Sequence, residues 1–179
     1  MQDRKFTTKI EQCHRKWLGE TIAISQTGHN GIDFLNDFFG IELKSKLLKK
    51  GYPKNFAVNA DQVHNFPKAY GEKDYYWAFM FYTFSKSVSE VRERDKLEPL
   101  VTKREVWCLP WDWIQQFPIF SPKYSGPFHY VPKHKFNGIN FTAFSTNKGN
   151  IHVQSDTSLE QRLINRVLMY SEEQNPKLY

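Results

Sequence analysis

The sequence predicts an α/β (α+β) fold in which a central mixed β-sheet is flanked by helices. Three observations lead to this fold class. Apolar residues recur at helical spacing near the start of the chain, alternate with polar residues over 39–46, and form a nearly continuous run over 75–82. Helical and strand patterns that alternate along one chain are typical of a sheet covered by helices. The 179 residues suffice for one domain with its own core.

The first half of the chain predicts a helix, a hairpin and a second helix. Thr7 or Thr8 is a candidate to cap the first helix, because a hydroxyl can accept an unpaired N–H of the first turn. The predicted segments are a helix at about 9–20, a strand at 21–25, hairpin strands at about 32–35 and 39–46, a short strand at 56–58 and a helix at about 60–66 that ends before Pro67.

The second half predicts more strand than helix. The apolar run at 75–82 is typical of a strand that is covered on both faces. The segment 85–103 is highly charged and predicts a loop or an exposed hairpin. The remaining predicted segments are a strand at 103–109, a short helix at 111–117 after Pro110, irregular structure with short strands at 118–150, a strand pair at 139–145 and 150–154, and a helix at about 159–172.

Composition and charge indicate a folded, basic, intracellular protein. The net charge is +6, which favours polyanionic partners without identifying one. Cys13 and Cys108 lack the spacing of zinc ligands and predict free thiols in a reducing cytoplasm. We expect a cytoplasmic protein without a membrane partner, because no apolar run reaches the length of a membrane span and the first residues do not resemble a signal peptide.

The hairpin carries the candidate chemistry. Glu42 and Lys44 lie on one face of the predicted strand, since side chains alternate between the two faces of a sheet. A turn near Asn36 would bring Asp33 close to Glu42. Carboxylates are the ligands that Mg²⁺ prefers, and one or two of them suffice. The alternative is an ordinary salt bridge between Glu42 and Lys44 on a solvated sheet.

This arrangement resembles the core of the PD-(D/E)XK nuclease superfamily, which includes many type II restriction endonucleases. The resemblance covers about residues 9–115 and is carried by Asp33, by Glu42-Leu43-Lys44 on a strand, and by an acid, Glu11, on the first helix. Ile32 stands where the superfamily usually has a proline.

The resemblance implies a fold, a domain plan and a set of functional residues. It implies a single nuclease domain over 1–179, with a restriction-endonuclease-like core at about 9–117 and a carboxy-terminal extension at about 118–179. The catalytic residues that it implies are Asp33, Glu42, Lys44, Glu11 and Gln62. Two of these, Asp33 and Glu42, would bind Mg²⁺ together with the backbone carbonyl of Leu43, and Mn²⁺ would substitute for Mg²⁺.

Several of these residues also have a simpler interpretation. An acid in the first turn of a helix, such as Glu11, is favoured by the helix dipole alone. Gln62 can be a surface or capping residue. Five basic residues are candidates for DNA contact: Lys46, Lys49, Lys50, His134 and Lys135. They either contact phosphates and groove edges or belong to an ordinary solvated surface.

The function implied by the resemblance is metal-dependent hydrolysis of phosphodiester bonds in double-stranded DNA by a sequence-specific type II restriction enzyme. A symmetric DNA site requires two active centres, so we expect a homodimer. One alternative is a structure-specific nuclease, such as a junction resolvase or a repair nicking enzyme, although the long segment after residue 117 disfavours that compact plan. The other alternative is a non-catalytic nucleic-acid-binding protein, which would leave the acids of the hairpin without a role.

Overall fold

The computed structural model describes residues 4–22, 26–27, 31–35, 39–51, 54–123, 126–136, 143–147 and 150–154. The helices are α1 (Arg4–Ile22), α2 (Ala60–Tyr70) and α3 (Val88–Arg92), and 3-10 turns cover Glu98–Leu100, Trp111–Gln116 and Lys133–Phe136. The strands are β1 (Phe34–Leu35), β2 (Phe39–Leu47), β3 (Asn55–Asn59), β4 (Asp74–Phe84), β5 (Val101–Pro110), β6 (Ile119–Phe120), β7 (Phe128–Pro132), β8 (Ala143–Asn147) and β9 (Asn150–Gln154).

The main sheet is mixed and has the strand order β1-β2-β4-β5-β8-β9. β2 and β4 are parallel, and the other pairs are antiparallel. Every residue from Tyr75 to Tyr82 in β4 is buried. The apolar run therefore forms an interior strand that is covered on both faces, as its composition predicts.

The main sheet is covered by helices and by a second, smaller sheet. The smaller sheet has the order β3-β7-β6. Phe56 of β3 and Val131 of β7 pack in one cluster with Phe79 of β4. Leu18 of α1 packs in a separate cluster with Met80 of β4. Since successive residues of β4 point to opposite faces, α1 and the smaller sheet lie on opposite sides of the main sheet. The predicted α+β class with a mixed, helix-flanked sheet is confirmed.

α1 is longer at both ends than the sequence predicts. Thr8 lies inside the helix, and its hydroxyl donates to the Arg4 carbonyl at 2.9 Å instead of capping the first turn. Thr21 donates in the same way to the Trp17 carbonyl at 2.8 Å. Threonine can thus complete its hydrogen bonding within a helix. The predicted strand at 21–25 is wrong at its first two residues, and the other three lie outside the described residues.

α2 continues past Pro67 to Tyr70, so its predicted end is wrong. Proline has no N–H to donate to the carbonyl four residues earlier, which belongs to Val63. That carbonyl instead accepts the indole N–H of Trp111 at 2.7 Å. A side chain from another element therefore replaces the missing backbone hydrogen bond, and the helix tolerates the proline.

The charged segment 85–103 contains α3 and a 3-10 turn, so the predicted loop or hairpin is wrong. The Ser87 hydroxyl accepts the backbone N–H of Glu90 at 3.4 Å, and the Glu90 carboxylate accepts the N–H of Ser87 at 3.0 Å. These reciprocal bonds form a capping box, which starts the helix.

Predictions for the rest of the chain have mixed outcomes. The helix predicted at 111–117 is a 3-10 turn. The strand pair predicted at 139–145 and 150–154 is present as β8 and β9 in its described part, and residues 139–142 lie outside the described residues. The helix predicted at 159–172 lies outside the described residues.

Both cysteines are free thiols, as predicted. Cys108 lies within β5, and burial raises the pKa of its thiol to about 12. In the part of the chain that the structure describes, we find no helix with the length and apolar character needed to span a membrane.

Candidate active site

The β1–β2 hairpin brings two carboxyl groups together. Its antiparallel register pairs Phe34 with Ile41 and Leu35 with Gly40. Continuing this register by one residue places Asp33 opposite Glu42, so their side chains point to the same face of the sheet. Both are almost fully buried, at 3% and 5% exposure. The juxtaposition that the hairpin predicts is therefore present.

Asp33 is held by two groups from different elements. Its Oδ2 atom accepts the backbone N–H of Leu43 at 2.7 Å, and its Oδ1 atom lies 2.7 Å from Arg15 Nε of α1. In an antiparallel ladder the N–H and C=O of one residue point to the same neighbouring strand. The Leu43 carbonyl is therefore directed toward the same edge of β2 as Asp33.

Glu42 lies beside a lysine that a second residue holds. Lys44 Nζ is 2.6 Å from Glu42 Oε1 and donates to Gln62 Oε1 at 3.0 Å. Gln62 lies on α2, so the lysine connects β2 with that helix. The other oxygen of Glu42, Oε2, is buried and has no hydrogen-bond partner among the described residues.

Burial disfavours the charged form of both acids. The pKa of Glu42 is raised to about 7, because burial and the nearby Asp33 carboxylate, which raise it, outweigh Lys44, which lowers it. Burial also raises the pKa of Asp33, although Arg15 and the Leu43 N–H act in the opposite direction. An additional cation at this position would stabilise the ionised forms of both groups.

A cavity of about 300 Å³ adjoins these residues. Its volume equals that of about ten water molecules in the liquid, so it can admit a phosphodiester group. The charged residues that line it are Glu11, Arg15, Glu42, Lys44 and Lys46. The cavity thus presents acidic and basic groups side by side.

The structure brings most of the predicted catalytic residues to this cavity. Glu42 and Lys44 line it from β2, and Glu11 lines it from α1, where its side chain is exposed. Asp33 and Gln62 contact the lining residues Arg15 and Lys44 rather than the cavity itself. Arg15 was not predicted. It lies four residues after Glu11, so the two side chains share one face of the helix, and this spacing is the signal that would have indicated it.

The predicted DNA-binding residues lie at different distances from the cavity. Lys46 lines it, whereas Lys49 and Lys50 are exposed beyond the end of β2. His134 and Lys135 are exposed on the 3-10 turn that follows β7. Only Lys46 among these five therefore lines the cavity itself.

The turn after β7 nevertheless lies on the same side of the sheet as the cavity. Lys133 Nζ is 5.4 Å from the ring centroid of Phe81, and Phe81 pairs with Lys46 across β2 and β4. The Lys133 N–H also donates to the Lys54 carbonyl at 2.7 Å, next to Asn55, which lines the cavity. Lys46 of β2 and Lys133 of the turn therefore lie on the same side of the sheet as the cavity.

The oxygen atoms at this site suit Mg²⁺ better than a metal ion that needs three or more His, Cys, Asp or Glu ligands. Within the described ranges, no group of three or more His, Cys, Asp or Glu side chains is placed to hold a metal ion. Mg²⁺ binds through one or two carboxylates and retains several waters. Asp33, Glu42 and the Leu43 carbonyl offer such a set, and the unpartnered Oε2 of Glu42 lacks the contact that a cation would supply.

No protein-family model, curated protein or solved structure matches this chain.

Proposed function

We propose that the protein is a Mg²⁺-dependent endonuclease of the PD-(D/E)XK type that hydrolyses phosphodiester bonds in double-stranded DNA. The observation that carries this proposal is the buried Asp33–Glu42 pair, in which Glu42 binds Lys44 through Oε1 and keeps a buried Oε2 without a partner among the described residues. Glu42 and Lys44 also line a cavity together with further basic residues. A buried acid pair with raised pKa values is costly to ionise, and such costs are typical of functional sites.

The acid pair and the Leu43 carbonyl would hold the ion. Mg²⁺, for which Mn²⁺ would substitute, polarises a phosphoryl oxygen and lowers the pKa of an attacking water when it is bound. Binding requires the carboxylate form of Glu42, whose pKa of about 7 makes metal binding and proton release a coupled event.

Lys44 is placed to stabilise charge that develops on the phosphate. Its ammonium group has three N–H donors, of which Glu42 and Gln62 take two. The third can meet a phosphate oxygen or orient the attacking water. Gln62 limits the positions that the flexible lysine can adopt, so the charge is in place before the substrate binds.

The basic residues around the cavity supply affinity for the DNA backbone. Lys46 lines the cavity, and Lys133 lies over the ring of its cross-strand neighbour Phe81. Lysines near phosphates provide most of the sequence-independent affinity for DNA. We further propose sequence-specific cleavage of the type II restriction kind by a homodimer, since a two-fold symmetric DNA site requires two equivalent active centres.

Digestion of supercoiled plasmid, followed by mapping of the 5′ and 3′ ends of the products, tests the proposal. We expect cleavage with Mg²⁺ or Mn²⁺ and none with chelator, and discrete bands on linear DNA would support sequence recognition. Cleavage of branched DNA alone would instead support a structure-specific nuclease. Glu20→Gln is a matched control, because Glu20 is an exposed acid on α1 whose contact in the structure is Lys16. The absence of cleavage of every DNA substrate with either metal would contradict the proposed function.

One observation favours a second candidate function, a non-catalytic nucleic-acid-binding protein. Arg15 already pairs with Asp33, and Lys44 already pairs with Glu42, so two cations balance two acids. Such a protein would bind DNA equally well with and without chelator and would leave it intact. The unpartnered Glu42 Oε2 argues against this candidate, because a purely structural network should satisfy a buried oxygen.

A further inference from the structure

We propose that Arg15 binds the scissile phosphodiester through its terminal guanidinium nitrogens while Asp33 fixes its orientation. This inference rests on the proposed nuclease function and adds to it a substrate-binding residue on α1.

The guanidinium of Arg15 is held on one side and available on the other. Its Nε lies 2.7 Å from Asp33 Oδ1, which is its ion-pair partner among the described residues, and its charge also acts on the Glu42 carboxylate. The side chain is 40% exposed and lines the cavity. A guanidinium carries five N–H donors, and four of them belong to the terminal nitrogens. These four are therefore available to an anion in the cavity.

Arg15 has more unused donors than the other cation of the acid pair. Lys44 directs two of its three donors to Glu42 and Gln62. The planar fork of arginine also matches two oxygens of a phosphate at once, which an ammonium group cannot do. A phosphodiester that enters the cavity would therefore gain its paired contacts from Arg15 and a single contact from Lys44.

α1 is fixed to the sheet immediately before Arg15. The Nε of Arg104 in β5 donates to His14 Nδ1 at 3.3 Å, and its two terminal nitrogens bind both carboxylate oxygens of Glu98. Cys13 donates through its thiol to the same carboxylate at 3.1 Å. Two consecutive residues of α1 are thus held by one network, so Arg15 starts from a fixed helix and loses less freedom when it binds an anion.

A different role would give Arg15 the same contact with Asp33. In that role the arginine would only help to ionise Asp33, because its positive charge lowers the pKa of that carboxyl group. In that case, loss of Arg15 would weaken metal binding, and a higher pH or a higher Mg²⁺ concentration would restore cleavage. If Arg15 contacts the phosphate, neither a higher pH nor a higher Mg²⁺ concentration can restore the cleavage that is lost with it.

Cleavage kinetics of three variants distinguish these roles. Arg15→Gln removes the charge and the fork, Arg15→Lys keeps the charge opposite Asp33 without the fork, and Lys16→Gln removes one charge from the neighbouring exposed position of α1. At pH 8.5 and saturating Mg²⁺, we expect kcat to fall by about tenfold to hundredfold in Arg15→Gln and by less in Arg15→Lys, as for the loss of charge-assisted hydrogen bonds. We expect Lys16→Gln to cleave like the wild type.

Each outcome bears on the inference. Circular dichroism and thermal unfolding check that the variants fold. If Arg15→Gln does not fold, the kinetics of Arg15→Lys provide the test. Wild-type rates in the Arg15 variants, or full recovery at high pH and high Mg²⁺, would overturn the phosphate contact and leave the nuclease function standing. If the wild-type protein itself cleaves no DNA, the nuclease function fails and the inference fails with it.

Discussion

Asp33 accepts the backbone N–H of Leu43 at 2.7 Å, across the hairpin that also carries Glu42. The position of one proposed metal ligand is thereby fixed by the backbone of the strand that bears the other. β1 begins at Phe34, immediately after Asp33, so Asp33 extends the pairing with β2 through its side chain instead of its main chain. The spacing of the two carboxyl groups therefore follows from strand register, which is more rigid than a side-chain rotamer.

Isosteric removal of either carboxylate should abolish cleavage without unfolding the protein. In Asp33→Asn the side-chain oxygen can still accept the Leu43 N–H, and in Glu42→Gln the volume is unchanged. We expect the cleavage rate to fall by at least about a hundredfold in each, because groups that only support metal ligands already account for tenfold to hundredfold effects. DNA binding, measured by fluorescence anisotropy with chelator, should change little. Cleavage by both variants at wild-type rates would exclude the metal-site assignment.

The stability of the metal-free protein should fall as the pH rises from about 4.5 to 7. The pKa of Glu42 is about 7 in the folded protein, against an ordinary value of 4.5. Between these pH values Glu42 loses its proton in the unfolded chain but keeps it in the folded protein, so ionisation favours unfolding. Above pH 7 the loss of stability that Glu42 causes is complete. The shift corresponds to about 3 kcal/mol at roughly 1.4 kcal/mol per pH unit.

Urea unfolding at pH 5 and at pH 7.5 measures this loss. Glu42→Gln is the matched control, because it cannot ionise and should lose the part of the pH dependence that Glu42 causes. The ionisation of Asp33 also lowers the stability as the pH rises, in the wild type and in Glu42→Gln alike, since burial raises its pKa as well. Equal pH dependence in the wild type and in Glu42→Gln would show that Glu42 titrates normally.

The residues of the hairpin were predictable from the sequence because their information is local. Alternating apolar residues fix the face on which Glu42 and Lys44 lie, and a turn between two strands brings Asp33 opposite. Arg15 was only partly predictable. Its spacing of four residues from Glu11 places it on the same face of α1, but its contact with Asp33 depends on where α1 packs against the sheet, which no local pattern records.

The errors in the predicted fold have two different origins. Ser87 and Glu90 carry the local signature of a capping box, which the high charge of their segment obscured. At Pro67 the reverse holds. Proline does disfavour a helix interior, but the hydrogen bond from Trp111, a residue distant in sequence, allows the helix to continue.

The cleavage rate should rise with pH through an apparent pKa near 7. A metal ion binds the ionised form of Glu42, so protons and Mg²⁺ compete for this carboxyl group. Increasing the Mg²⁺ concentration tenfold should therefore move the midpoint of the pH profile to a lower pH. Single-turnover rates between pH 5.5 and 8.5 at two Mg²⁺ concentrations test this, and a profile that does not move with Mg²⁺ would separate the titrating group from the metal site.

Substitution of Lys44 should lower the cleavage rate more than substitution of Gln62. Lys44→Met removes the ammonium that faces the cavity and should lower the cleavage rate by about a hundredfold or more, in the range found for preorganised charge at a reacting group. Gln62→Leu removes only the acceptor that holds Lys44 at 3.0 Å, and we expect a decrease of about tenfold. Single-turnover kinetics at saturating Mg²⁺ give both values. An equal loss in the two variants would mean that Gln62 does more than position the lysine.

The hydrogen bond from Trp111 to the Val63 carbonyl should contribute more when Pro67 is present. Trp111→Phe leaves that buried carbonyl unpaired, and we expect a loss of about 1–3 kcal/mol in the free energy of unfolding. In the Pro67→Ala background, the new backbone N–H can donate to Val63, so the same substitution should cost less. A double-mutant cycle by urea denaturation measures the difference, which we expect to reach about 1 kcal/mol. Additive effects of the two substitutions would show that the indole N–H does not replace the bond that proline removes.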